Sequence, residues 1–189
     1  VLTFPELCHS CKGCMMVCPK EAISEKGRAL GELEIGSSGK VEFFHGLLRV
    51  GEAMSPPLIE RVKEHIDAGK IAIIDAPPGT SCPVIVALKG ADFAILVTEP
   101  TPFGLHDLKL AVGAVRILGI PFGIIVNRCD VGDDRVNQYA AEEGIPILME
   151  IPNDRKIAEA YSRGIMMVEV VPEMRNRFRN MYEKIKELS

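Results

Sequence analysis

The chain has 189 residues, with 22 Lys and Arg against 26 Asp and Glu, a formal net charge of −4. That length suits one domain, or one domain plus a small module, and a hydrophobic share of 47% is enough for a sizeable core. The acidic balance argues against nucleic acid or anionic lipid as the main partner, and no apolar run nears the roughly 20 residues of a membrane helix. No basic stretch followed by an apolar one opens the chain, so no secretory signal is expected.

Four of the six cysteines fall within residues 8–18, in the run Cys8-His-Ser-Cys11-Lys-Gly-Cys14-Met-Met-Val-Cys18-Pro19. Cysteines two or three positions apart are badly placed to pair with each other. The spacing C-x2-C-x2-C-x3-C-P is that of bacterial ferredoxins, in which three closely spaced thiolates wrap one face of an iron–sulfur cubane. The fourth cysteine ligates a second cluster in two-cluster ferredoxins. Zinc sites bring two ligand pairs together across a longer loop and fit this run poorly. Cys8, Cys11 and Cys14 are therefore the candidate ligands of one 4Fe–4S cluster and Cys18 of a second, whose partner motif the sequence does not contain, and His9 reads as a solvent-facing filler. Gly13 lets the backbone approach the sulfurs, and Pro19 turns the chain away.

Residues 29–51 are Gly-rich, with alternating apolar positions at Leu33, Ile35, Val41, Phe43, Leu47 and Val50. They predict short strands and turns, with a hairpin linking two modules. From Ser55 helix and strand alternate. Ser55-Pro56-Pro57 opens a helix with Leu58, Ile59, Val62 and Ile66 as its stripe and Gly69 as its end. Ile71–Asp75, Phe93–Thr98, Pro121–Val126 and Ile145–Met149 read as buried strands. Helices are predicted over 104–118, 133–143 and 154–163, with an edge strand at Val168–Val171. A last helix over 172–188 carries Met174, Phe178, Met181, Ile185 and Leu188 on one face. It reads as docked on its own core, with a membrane-surface or partner helix as the alternative.

Strands apolar on both faces, separated by amphipathic helices, predict an α/β fold: a mostly parallel sheet with helices on both faces. In such sheets ligands bind at the carboxyl ends of the strands. An acid at the end of the first of these strands, Asp75, is placed to hold a magnesium ion, directly or through water, and Gly79 to present its amide to a γ-phosphate.

Asp75-Ala-Pro-Pro-Gly79-Thr80 resembles the switch II sequence of MinD/Mrp-type P-loop ATPases. Val97-Thr-Glu-Pro-Thr-Pro-Phe-Gly-Leu-His-Asp107 is similar to their following strand, loop and helix. Val126-Asn127-Arg128 resembles their adenine-recognition strand end, and Ile151-Pro152-Asn-Asp154 the loop that closes over the base. With the cysteine run, the chain resembles MinD-superfamily ATPases carrying an inserted ferredoxin domain. The resemblance implies Asp75 and Gly79 as catalytic residues and Asn127, Arg128, Pro152 and Asp154 as ATP-binding residues. It implies ATP and Mg2+ in the intact protein, a nucleotide-dependent homodimer, a redox or cluster-acceptor partner and a cytoplasmic setting. It divides the chain into half a ferredoxin-like 4Fe–4S module (1–28), a strand-and-turn linker (29–54) and the C-terminal part of a MinD/ParA-like domain (55–189). The function implied is an ATPase coupling nucleotide state to electron transfer or to cluster assembly. A non-enzymatic electron carrier or binding module on an α/β scaffold is the alternative.

The sequence departs from that family in one respect. It contains no G-x-x-x-x-G-K-S/T, and Gly36-Ser-Ser-Gly39-Lys40-Val41 lacks both the first glycine at the right distance and the hydroxyl after the lysine. The expectation is a fragment beginning after the P-loop and the first ferredoxin motif, inactive alone. Cys82 lies seven residues after Asp75. The related nitrogenase iron protein has a cysteine at that offset which bridges a cluster between subunits. A buried, inert thiol at a helix start is the plainer expectation.

Overall fold

The structure is a computed structural model that describes Phe4, Cys8 and residues 11–189. His9 lies outside the described residues. The chain divides into two compact units, Val1–Ala87 and Leu88–Ser189.

In the first unit, a single turn of helix, α1 (Gly13–Met16), lies within the cysteine run. Strands β1 (Gly31–Ser38) and β2 (Val41–Leu48) form the predicted hairpin, paired antiparallel from Gly31 opposite Leu48 to Ser38 opposite Val41. Gly39 opens its two-residue turn with φ 59°, where a glycine has no steric cost. Helix α2 (Pro56–Lys63) packs on the hairpin through Leu58 and Val62. It does so where β2 has no side chain: a Cβ on Gly46 would stand 2.9 Å from Leu58. The helix ends earlier than the sequence stripe suggests, because Ile66 stays exposed and only turns follow Lys63.

Residues 71–75, predicted as a strand, form none. Ile71 and Ile73 are 72% and 93% exposed. A strand is held by a ladder as much as by its apolar residues, and this segment pairs with no neighbour among the described residues. Helix α3 (Cys82–Leu88) follows.

The second unit contains a parallel sheet in the order β3 (Ala94–Thr98), β4 (Phe122–Asn127), β5 (Ile147–Ile151). Between them run α4 (Pro102–Leu118) and α5 (Arg135–Glu142), and after them α6 (Arg155–Tyr161), α7 (Met167–Val170) and α8 (Glu173–Leu188). Leu108 and Val112 of α4 and Val136 and Ala140 of α5 pack with Ile124 and Val126 on one face of β4. Ile125, pointing to the opposite face, packs with Met149 and Ile151 of β5 and with Met174 of α8. The α/β fold with helices on both faces is thus realised around β4, whose residues 123–126 are all buried.

Phe178, Met181 and Ile185 join that second cluster, so α8 docks on its own core as the sequence suggests. The edge strand expected at Val168–Val171 is instead the helical turn α7, closed by the Val171 amide on the Met167 carbonyl at 2.9 Å. Its β-branched residues favour strand only weakly, and packing of Val168 and Val171 into the second cluster overrides that preference.

Candidate functional site

The cysteine loop is held by its own backbone. Lys12 adopts φ 61°, a left-handed conformation that starts α1. Cys8, Cys11 and Cys14 are exposed and Cys18 is half-buried. The Cys18 sulfur accepts the Ala22 amide at 3.4 Å. That amide first, and then the neighbouring amide of Lys20, hold the Cys18 thiol below its ordinary pKa. A Cβ on Gly13 would lie 3.7 Å from the Cys11 sulfur, so the position adjoins a thiol without being closed to a side chain. Among the described residues no group of three or more His, Cys, Asp or Glu side chains stands together as a metal site. The donor chemistry fits an iron–sulfur cluster: thiols on an accessible loop, one of them already receiving a backbone N–H.

Further along the chain, Arg28 meets Glu52 through two contacts, 2.9 Å and 3.1 Å. The Glu52 side chain is 5% exposed and also accepts the Met54 amide at 3.1 Å. Nothing in the sequence pattern singles out this pair, since its partners lie on either side of the hairpin.

Asp75 and Gly79 lie in the first unit, in an irregular, exposed segment, with Gly79 at φ 94°. Cys82 begins α3 as expected, but it is exposed rather than buried. Val84 and Ala87 take the inward face of that helix and leave its first residue outside.

The other predicted residues, Asn127, Arg128, Pro152 and Asp154, do come together, at the carboxyl ends of β4 and β5. The ladder register slips by one residue, from Ile124 opposite Ile147 to Ile125 opposite Met149, which sets Asn127 opposite Ile151. Arg128 then turns left-handed at φ 52°. The next amide, of Cys129, donates to the Ile151 carbonyl at 3.0 Å. The Asp130 carboxylate accepts the Asn153 amide at 2.6 Å. Asp154 spends one carboxylate oxygen on the Lys156 amide, 2.8 Å away, and so caps α6.

The end of β3 joins the same edge. Glu99 stands 3.6 Å from the Arg128 guanidinium. The Asp133 amide donates to the Pro100 carbonyl at 3.3 Å. Two glycines make that approach possible: a Cβ on Gly132 would lie 1.6 Å from the Pro100 oxygen, and one on Gly104 2.2 Å from the Glu99 oxygen. Thr98, buried, donates its hydroxyl to the Gly104 carbonyl at 3.0 Å, and Thr101 caps α4 by accepting the Gly104 amide at 3.0 Å. Sequence reasoning missed Glu99 and Asp130. An acid closing an apolar strand was the signal available for Glu99, the same one that marks Asp75. Asp130 gave no signal beyond its place in a turn.

Comparison with known proteins finds likenesses for the cysteine run and for the fold. Residues 1–24 match a 4Fe-4S binding domain family. The chain resembles the crystal structure of the cell division ATPase MinD of Pyrococcus furiosus, with a TM-score of 0.54 and 29% identity over 71% of this chain and 57% of that one. The chain thus resembles MinD-superfamily ATPases and carries a ferredoxin-type motif. It is 29% identical over 182 residues to an uncharacterized protein of Methanocaldococcus jannaschii, covering 95% of this chain and 61% of that protein. It is 32% identical over 111 residues to an iron-sulfur cluster carrier protein of Pyrococcus horikoshii, covering 51% of this chain and 38% of that protein. The chain therefore spans less than two thirds of the length of these relatives.

Proposed function

We propose that this chain belongs to an iron–sulfur ATPase in which nucleotide state is coupled to electron transfer or to the assembly of iron–sulfur clusters. The observation that carries the reading is the coincidence, in one chain, of a cysteine run matching a 4Fe-4S binding domain with a likeness to MinD. Relatives named iron-sulfur cluster carrier proteins support the same combination.

In this reading residues 1–28 form the cluster module, 29–54 a linker and 55–189 the nucleotide-responsive part. Cys8, Cys11 and Cys14 would hold one 4Fe–4S centre and Cys18 would ligate a second; such a centre would supply one-electron chemistry or itself be handed on. Asp75 binds Mg2+ and orients water, and Gly79 follows the γ-phosphate. Asn127 offers both a donor and an acceptor, the pattern that adenine's amino group and adjacent ring nitrogen require. Arg128, Pro152 and Asp154 flank it. The partners are a second copy, recruited by nucleotide, and a redox or cluster-acceptor protein, in the reducing cytoplasm that exposed thiols require.

A second reading is a non-enzymatic electron carrier or binding module on an α/β scaffold. One experiment separates them. The protein is purified anaerobically from its native source, iron and sulfide are measured, and ATP hydrolysis is followed with and without reductant. Cluster together with redox-sensitive ATP turnover supports the ATPase. Cluster without turnover selects the carrier. Absence of cluster after reconstitution with iron and sulfide, unchanged by Cys14→Ser, removes both.

A further inference from the structure

We propose that Asp130 is the positioning residue that presents a purine-reading edge at the carboxyl ends of β4 and β5; the inference rests on the reading of Asn127 as the base contact. Asn127 ends β4, and the two loops that leave this end of the sheet diverge, one toward α5 and one toward α6. Two hydrogen bonds tie them together. The backbone bond from the Cys129 amide to the Ile151 carbonyl, at 3.0 Å, continues the ladder by one step. The last tie is the Asp130 carboxylate on the Asn153 amide, at 2.6 Å. It is charge-assisted and reaches beyond the point where the ladder stops.

The register slip between Ile124 and Ile125 gives this tie its geometry. It sets Ile151 opposite Asn127, and so brings Pro152 and Asn153 level with Arg128 through Asp130. Slips of this kind re-aim side chains at the ends of ladders. On the other side Arg128 is engaged by Glu99 at 3.6 Å, and the loop behind it is closed by Gly132 against Pro100. The Arg128 turn is thus engaged from the end of β3, and beyond the ladder the 152–154 loop is tied to it by the Asp130 carboxylate. Asp130 need not touch the base: it sets where the second loop stands relative to the Asn127 amide. Asn127 distinguishes adenine by pairing an acceptor with the N6 amino group and a donor with N7, whereas a 6-oxo purine offers two acceptors.

The test uses the 189-residue chain with adenosine and inosine as probes, which differ in that 6-position group and carry no phosphate. Binding is followed by amide chemical shifts, and protection of the Asn153 amide by hydrogen exchange. The wild-type chain is expected to prefer adenosine by about five- to ten-fold, the scale of one net hydrogen bond. Asp130→Ala is expected to reduce that preference to about two-fold or less and to expose the Asn153 amide. Asp130→Asn, which keeps an oxygen acceptor, is expected to retain both. A wild-type chain with no preference overturns the base-contact reading itself. A preference that Asp130→Ala leaves intact in a folded protein overturns the role of Asp130 and spares that reading. Equal loss in the Ala and Asn variants also overturns it, because the acceptor would then not be what matters.

Discussion

Single residues at the strand ends are constrained by backbone more than by side chains. Gly132 and Gly104 each face a carbonyl oxygen of the Glu99-Pro100 turn at a distance no Cβ tolerates. Gly132→Ala should therefore force the 128–134 loop away from Pro100 and cost about 1–3 kcal/mol, read as a lower urea midpoint. Gly113 is the contrast. It lies inside α4 with nothing near its missing Cβ, so Gly113→Ala should stabilise by about 0.5–1 kcal/mol in the same measurement. Cys129 gives a prediction of a different kind. Burial, and then the charges of Glu150 and Asp130, push its thiol above the ordinary pKa. The neutral form is favoured by folding, so its contribution to stability is present below the unfolded pKa and fades as pH rises through the folded one. At pH 8.5 iodoacetamide should label Cys129 more slowly in the folded chain than in urea, with the gap closing at higher pH. Equal rates would sink that assignment.

At the scale of elements, α8 is the clearest case of a helix whose role is packing. Met174 is 2% exposed and sits in the cluster that α8 shares with β5. Met174→Ala should cost about 2–5 kcal/mol, seen by chemical denaturation, because the sheet behind it cannot close the cavity. The stripe that announces this helix was readable in the sequence, as were the three strands and α4 to α6, since apolar period and caps act locally. What was not readable depended on partners distant in sequence. Ile71–Asp75 has the composition of a buried strand, and Ile73 is nevertheless almost fully exposed, because no ladder receives it among the described residues. Val168–Val171 has strand-forming residues and forms a helical turn because two of them are needed in the core. The candidate site divides the same way. Asn127, Arg128, Pro152 and Asp154 were singled out by their motifs and lie at neighbouring strand ends. Asp130 was not, because its partner is an amide 23 positions away.

For the whole molecule, phosphate recognition is the deciding property. In the proposed reading the strand ends offer a base contact, but this sequence supplies neither the glycine-rich cradle nor the lysine that ATP phosphates require. Calorimetry on the 189-residue chain with Mg2+ should therefore find ATP binding no tighter than the millimolar range, and little stronger than adenosine. Micromolar affinity would show that some other group in the chain holds the phosphates.

The ion pair of Arg28 with Glu52 bears on how such a chain can change over evolution. These two residues stand at the entry and exit of the β1–β2 hairpin, and the Arg49 amide bonds the Leu30 carbonyl beside them at 2.9 Å. The chain thus leaves and returns at one place. A hairpin closed at its base in this way can be lengthened or shortened at its far end, around the Gly39 turn, while the clamp and the face that receives α2 keep their positions. The tip of the hairpin is thus a natural splice point, where length is free to drift as long as the clamp and the Gly46 contact with Leu58 are kept.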